Sequence, residues 1–281
     1  MQRTIVAAAS FAAALLLAFA ASAQSLADIK KRGTIRLGYS ETSVPFSFKK
    51  DEAVGGYSAE ICARVAAAIG AAAGGPVKVE WVSLTPATRI DAVVSGKVDL
   101  ECGTTTTTLA RREKVDFSLP IFVDSATILA RKSVATSLPQ LQGRKIAVAE
   151  NTTTLPAVER GLAKRFVKAE IVHTKTVAEA FDLLKDGKVD AMGGDRTALV
   201  GTFLQGGGAE GLFVFADDLS YEPYGIVMRR NDPDLRLVVD RVIAQLYRTG
   251  EIEAVYGRWL APLGQPTVAL MGMYMLNGLP E

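Results

Sequence analysis

The chain has 281 residues, 49% of them hydrophobic and 22% charged, with 32 Lys and Arg against 30 Asp and Glu. This length and apolar content suit one large domain or two modest ones with a real core. A charge balance so close to neutral gives no electrostatic reason to bind nucleic acid.

Met1 to Gln24 read as a secretory leader. Arg3 supplies a short positive start, Val6 to Ala20 an apolar run, and Ala21-Ser22-Ala23 a small-residue cleavage box, so residues 1–23 are expected to be removed. The run is short for a membrane span, although a retained anchor is the alternative. No Cys follows the box, so lipid attachment is not expected. The mature protein is expected to be soluble and exported to the periplasm. Two cysteines, Cys62 and Cys102, fit no zinc spacing. In an oxidising compartment they could pair, and equally both could be buried thiols. No metal or cofactor site is expected.

Strand-like segments then alternate with helix-like ones. Thr34 to Tyr39 suggest a strand. Ser58 to Ala73 suggest a helix with Ile61, Val65 and Ile69 aligned, and Val77 to Val82 a second strand. Thr85 is a plausible N-cap with Pro86 at the first helical position. Ile90, Val93 and Val94 share a face, and Gly96 stops that helix. Val98 to Cys102 suggest a strand, after which Gly103 lets the chain turn without a Cβ penalty. Five threonines follow, Thr104 to Thr108, with Arg111 just beyond. Taken alone they read as a β-branched strand edge before a basic helix. The other reading is an anion site, because hydroxyls, free N–H groups and a guanidinium fork together match a carboxylate.

The second half repeats the scheme. Ile146 to Ala149 suggest a strand, followed by the hydroxyl-rich turn Asn151-Thr152-Thr153-Thr154. Thr176 and Glu179 form a capping box before Phe181, Leu183 and Leu184, and Gly187 ends that helix. Gly187-Lys188-Val189-Asp190 repeats Gly96-Lys97-Val98-Asp99, either by chance at two ordinary helix-Gly-strand joints or as one βα unit in each half. Phe213 to Phe215 suggest another strand. Asp232-Pro233 open a helix striped by Leu235, Val238, Val239, Val242 and Leu246, and Gly250 ends it. This alternation implies α/β layers with largely parallel sheets. Ligands in such layers bind at strand carboxyl ends beside helix N-termini, where both Thr-rich turns fall.

In this order the chain resembles a family, the periplasmic solute-binding proteins of polar amino-acid ABC importers (solute-binding protein family 3). The resemblance is carried by Gly38, Val44-Pro45-Phe46-Ser47, Gly56-Tyr57-Ser58, Ser95 to Leu100, the Thr run with Arg111, and Asp116 to Pro120. It continues through Leu141 to Val148, Gly187 to Ala191, Asp195, Glu222 to Ile226, Gly250 and Tyr256 to Trp259. It implies an α/β fold of two Rossmann-like lobes, the type II or Venus flytrap architecture, joined by two crossing strands. Lobe 1 would take residues 24–123 and 224–281, and lobe 2 residues 124–223, with hinges near Val123 to Ala126 and Glu222 to Tyr224. The expected partners are a free amino acid and an inner-membrane ABC permease, with the protein a monomer.

By position, Arg111 matches the arginine that grips the ligand α-carboxylate, and Thr106 a hydroxyl that fixes its backbone groups. Thr104 matches a residue whose backbone carbonyl accepts from the ammonium, Thr152 and Thr153 the second lobe's N–H and hydroxyl donors, and Asp195 the ammonium's acid. Asn151 stands where the family has Gly, and Asn tolerates left-handed dihedrals. The Glu101-Cys102-Gly103-Thr104-Thr105 stretch and the Met273 to Glu281 tail look most like the glutamate/aspartate branch. Arg89 matches an arginine that contacts the acidic side chain there. Ser40 occupies that branch's other arginine position and Val177 its histidine position, so a neutral polar ligand is as well supported as an acidic one.

Two other functions compete. Cyclohexadienyl or arogenate dehydratases resemble this family and would use a cleft carboxylate. Glu41, Glu101 and Glu150 lie near strand ends, each expected to be solvated or in an ion pair. The protein could also present its ligand to a separate receptor. His173, the one histidine of the chain, leaves little material for Ser-His catalysis.

Overall fold

The structure is a computed structural model that describes residues 25–205 and 211–281. The expected leader lies outside the described residues. After α1 (Ser25–Arg32) come β1 (Thr34–Tyr39), a small antiparallel sheet of β2 (Thr42–Ser43), β3 (Ser47–Lys50) and β4 (Ala53–Gly55), and then α2 (Tyr57–Ala73) and β5 (Lys78–Ser83). Next are α3 (Arg89–Val94), β6 (Leu100–Glu101), α4 (Leu109–Arg112) and the long β7 (Val115–Asp124). With β13 (Glu222–Arg229), these strands form one five-stranded sheet ordered β5-β1-β6-β13-β7. The chain then leaves for a second five-stranded sheet. Its strands are β8 (Ala126–Arg131), β9 (Lys145–Ala149), β10 (Glu170–Thr174), β11 (Ala191–Asp195) and β12 (Leu212–Val214), in the order β10-β9-β11-β8-β12. Helices α5 (Thr154–Lys164), α6 (Val177–Lys185) and α7 (Arg196–Gln205) cover that sheet. After β13, α8 (Pro233–Arg248), α9 (Glu251–Trp259) and α10 (Val268–Asn277) pack on the first.

Two α/β lobes joined by two crossings are therefore present. The chain passes out at Ser125 and back before Glu222, and β7 and β13 pair antiparallel from Val115↔Arg229 to Glu222↔Asp124. Each sheet is only half parallel, contrary to the expectation. In each, three strands from βα units pair parallel, and one strand, β13 in the first sheet and β8 in the second, runs against both its neighbours.

The repeated Gly-Lys-Val-Asp phrase does the same job twice. Gly96 and Gly187 take φ of 70° and 78°, the left-handed region that ends a helix at least cost in Gly. Three residues on, the Asp99 N–H donates to Arg36 O at 2.8 Å, and the Asp99 carboxylate accepts the Arg36 N–H at 2.8 Å. Asp190 accepts the Lys145 N–H at 2.9 Å in the same way. The phrase is thus a staple between neighbouring strands in each lobe, not a coincidence of two loops.

Local expectations shifted in several places. Thr85 to Thr88 form a turn, and α3 starts only at Arg89. The strand expected over Val98 to Cys102 shrinks to β6, flanked by ladder bonds from Asp99 and Cys102. The Phe213 to Phe215 strand sits one residue earlier. Thr176 caps α6 by accepting the Glu179 N–H, but Glu179 reaches the N–H of Lys175 instead of the N-cap. Asn151 does adopt a left-handed φ, 58°. Cys62 and Cys102 form a disulfide, which ties α2 to the end of β6.

Candidate functional site

The carboxyl ends of β1 and β6 and the N-terminal ends of α3 and α5 face one another across the gap between the lobes. They enclose a cavity of about 150 Å³. The first lobe lines it with Ser40, Leu84, Thr85, Arg89, Glu101, Gly103 and Thr104. The second lines it with Thr152, Thr153, Thr154, Val177, Asp195 and Ala198.

Six of the eight expected site residues meet here: Ser40, Arg89, Thr104, Thr152, Thr153 and Asp195. Thr106 and Arg111 do not line the cavity but stand behind it. Residues 105 to 107 lie along the start of β13, with the Thr107 N–H donating to Pro223 O at 2.7 Å and a bridge between Thr106 and Tyr224. The strand-edge reading of the Thr run is therefore correct for its middle. This placement gives the Thr106 hydroxyl to the Glu222 carboxylate at 2.6 Å. From the other lobe Thr153 Oγ1 donates to the same Glu222 oxygen at 2.6 Å and lies 3.2 Å from Thr106 Oγ1. Glu222 thus joins the two Thr-rich turns. Arg111 Nη1 donates to Thr106 O at 2.7 Å, and Thr108 caps α4 so that the guanidinium folds back over the run.

Thr152 spends its hydroxyl locally. It donates to Ala149 O at 2.7 Å and holds the turn into α5. Ser40 Oγ accepts from the Ser43 hydroxyl at 2.8 Å.

Electrostatics concentrate at the floor of the cavity. Tyr224 donates to Asp195 Oδ2 at 2.5 Å and lies 3.3 Å from Asp124 Oδ2, while Thr154 donates to Asp195 Oδ1 at 2.9 Å. Burial, reinforced by the charge of Asp195, pushes the Asp124 carboxyl up to about 7. Burial and the charge of Glu222 raise Asp195 too. The phenol has one proton and gives it to Asp195. Asp124 and Asp195 thus meet at one phenol, and of the two Asp195 is the one that lines the cavity. Burial, and then the charge of Arg89, lower Arg111 to about 10, so it stays cationic at neutral pH.

Sequence reasoning missed Glu222, Tyr224 and Asp124 as site groups because nothing in their spacing shows that two crossing strands bring them under both Thr turns. Glu101 departs from the expectation for it. It is neither solvated nor in an ion pair but 3% exposed, and burial raises its carboxyl against the pull of Arg89. Gly103, expected to serve a turn, has another role: a Cβ there would sit 2.4 Å from Glu101 Oε1. Glu41 and Glu150 are exposed, and His173 faces Glu150 on the surface at 3.6 Å.

Residues 35–262 match the family model of the bacterial extracellular solute-binding proteins, family 3. The chain belongs to this family. This family 3 protein is 31% identical over 239 residues to the L-glutamate/L-aspartate-binding protein of Pseudomonas aeruginosa, covering 84% of the chain and 79% of the relative. It is also 31% identical over 231 residues to the glutamate/glutamine/aspartate/asparagine-binding protein BztA of Rhodobacter capsulatus, covering 79% and 66%. Among solved structures it resembles an ancestral amino acid-binding protein, AncCDT-1, a precursor of cyclohexadienyl dehydratase. That match has a TM-score of 0.73 and 31% identity and covers 84% of this family 3 chain and 99% of the other. The two-lobed type II architecture is thus the family's own.

Proposed function

We propose that the protein is the extracytoplasmic amino-acid-binding subunit of an ABC importer. In this reading it captures a polar L-amino acid by closing lobe 1 (residues 24–123 and 224–281) on lobe 2 (residues 124–223) and delivers it, as a monomer in the periplasm, to an inner-membrane permease. The observation that carries the reading is the charge set at one inter-lobe cavity, with Arg89 lining one side and Arg111 behind it, and Asp195 on the other side. That set suits a zwitterion, which needs cationic donors at one end and a carboxylate at the other. Arg111 takes the α-carboxylate with the nitrogens not given to Thr106, Asp195 takes the ammonium, and the N-terminus of α5 adds N–H donors at Thr152 and Thr153. Thr104 faces the ammonium, Thr106 helps fix the ligand backbone, and Arg89 and Ser40 line the side-chain end. The glutamate- and aspartate-binding relatives support the amino-acid class. Closure is a hinge motion, because only the closed state makes contacts from both lobes.

Melting the protein with each of the common L-amino acids tests this, since a ligand that binds only the folded state raises the midpoint. A shift with one or a few polar amino acids is expected. No shift with any would overturn the reading. A second reading has one specific observation behind it. Burial raises the Glu101 carboxyl, which is the direction a general acid needs, and the ancestral neighbour is a dehydratase precursor. Turnover of prephenate or arogenate would establish that reading instead.

A further inference from the structure

The cavity lining holds an opposite-charge couple besides Asp195. Arg89 enters from the first residue of α3, and Glu101 from β6 beside Gly38. They are 8% and 3% exposed, and both line the cavity. Arg89 Nε and Glu101 Oε2 are fully buried, and neither has a hydrogen-bond partner. Buried polar atoms in native proteins are almost always met by something; the Thr105 hydroxyl beside Glu101 is unpartnered too, and both Arg89 and Glu101 are residues that line the cavity. Glu101 is fixed in place by the missing side chain of Gly103, which leaves room for its other oxygen.

The charges around the cavity restrict what that partner can be. Arg89 is the guanidinium in its lining, with Arg111 behind it, against the carboxyls of Glu41, Glu101 and Asp195 in the lining and Glu222 behind. A zwitterion adds no net charge. An acidic side chain adds one more anion to a buried set that already has an excess of them. A carboxamide adds none and carries both complements, with its C=O accepting from Arg89 and its NH₂ donating to Glu101.

We propose that Glu101 is a specificity-determining residue which, with Arg89, selects a side-chain carboxamide over the corresponding carboxylate. The bound ligands are then of the glutamine or asparagine class. This inference rests on the reading of the cavity as the amino-acid site. A site built to hydrogen-bond a donor rejects the analogue lacking it, because the buried acceptor is left unpaired.

Calorimetry at neutral pH with L-glutamine, L-asparagine, L-glutamate and L-aspartate tests it on the full mature chain. The wild type should bind one amide about tenfold or more tighter than the matching acid. Glu101→Gln removes one anion and should tighten the acid about tenfold while changing the amide by less than about fivefold. Gly103→Ala, which displaces the Glu101 carboxylate without altering its charge, should weaken the amide by about tenfold. An acid bound by the wild type as tightly as its amide would overturn the inference, as would an amide-to-acid ratio that Glu101→Gln leaves unchanged. Should Glu101→Gln fail to fold, the wild-type ratio and Gly103→Ala still decide. If amino acids bind but the ratio does not move, only the role of Glu101 falls. If no amino acid binds, the amino-acid reading falls with it.

Discussion

Gly201 sits inside α7 and touches the other lobe, not the cavity. A Cβ built on it would lie 2.9 Å from both Val44 O and Pro45 Cδ, and 3.2 Å from the Val44 carbonyl carbon. The Val44 atoms are backbone and Pro45 is a ring, so none can swing aside like a long side chain. Gly201→Ala therefore forces α7 away from the Val44-Pro45 turn by roughly half an ångström to reach ordinary van der Waals contact. Overpacking of this kind costs about 1–3 kcal/mol. Alanine is also the better helix former, by about 1 kcal/mol. If the lobes meet only when closed on ligand, the penalty falls on the bound state alone. Affinity should then drop by about 5- to 150-fold, while the melting point of the ligand-free protein holds or rises. Calorimetric titration and a melting curve of the same variant measure the two. An unchanged affinity with a clearly lower ligand-free melting point would refute the argument, since the contact would then belong to the resting protein.

Arg111→Ala should weaken ligand binding by about 2–5 kcal/mol, as for truncation of one partner of a desolvated charge pair. Arg111→Lys should recover only part of this because the planar fork is lost; near wild-type titrations for either variant would remove the arginine from the site. The disulfide closes a loop of 40 residues, which corresponds to about 4 kcal/mol of chain-entropy stabilisation. Reduction should therefore lower the denaturant midpoint and steepen its slope, because the unfolded chain expands, and an unmoved midpoint would show that the link adds nothing. Asp124, raised to about 7, gives an inverted pH response. The folded state holds a proton that the unfolded chain releases near its ordinary value of about 4. The stabilisation is complete below that value and is lost as pH rises through about 7. Ligand-free melting points should fall across that window, and Asp124→Asn should flatten the fall; identical slopes for the two proteins would contradict the assignment.

Much of the scaffold was legible because the deciding signals are local. Asp232-Pro233 and the stripe from Leu235 to Leu246 specify α8 by capping and periodicity. The repeated Gly-Lys-Val-Asp phrase marked matching units in both lobes. The half-antiparallel character of each sheet was not legible, since it depends on how the two crossing strands return, which no local pattern encodes. The site divides in the same way. Thr104, Thr152 and Thr153 lie in turns that follow strands, and their convergence could be anticipated from the α/β alternation, whereas Asp195 was expected only from the family resemblance. Asp124 lies 100 residues before Tyr224 in sequence and meets it and Glu222 only because β7 and β13 run side by side. Glu101 read as an ordinary carboxylate, because its burial depends on Gly103 leaving space and on β6 lying between β1 and β13.

The central claim is that the inter-lobe cavity grips both ends of an amino-acid zwitterion. Its most direct test is calorimetric titration of the ligand-free protein with the amino acid that raises its melting point most, run beside the N-acetyl derivative of that compound. The account predicts one-to-one binding of the free amino acid. It also predicts loss of nearly all binding for the N-acetyl form, because acetylation removes the cation that Asp195 is placed to meet. Equal binding of the two compounds would contradict it.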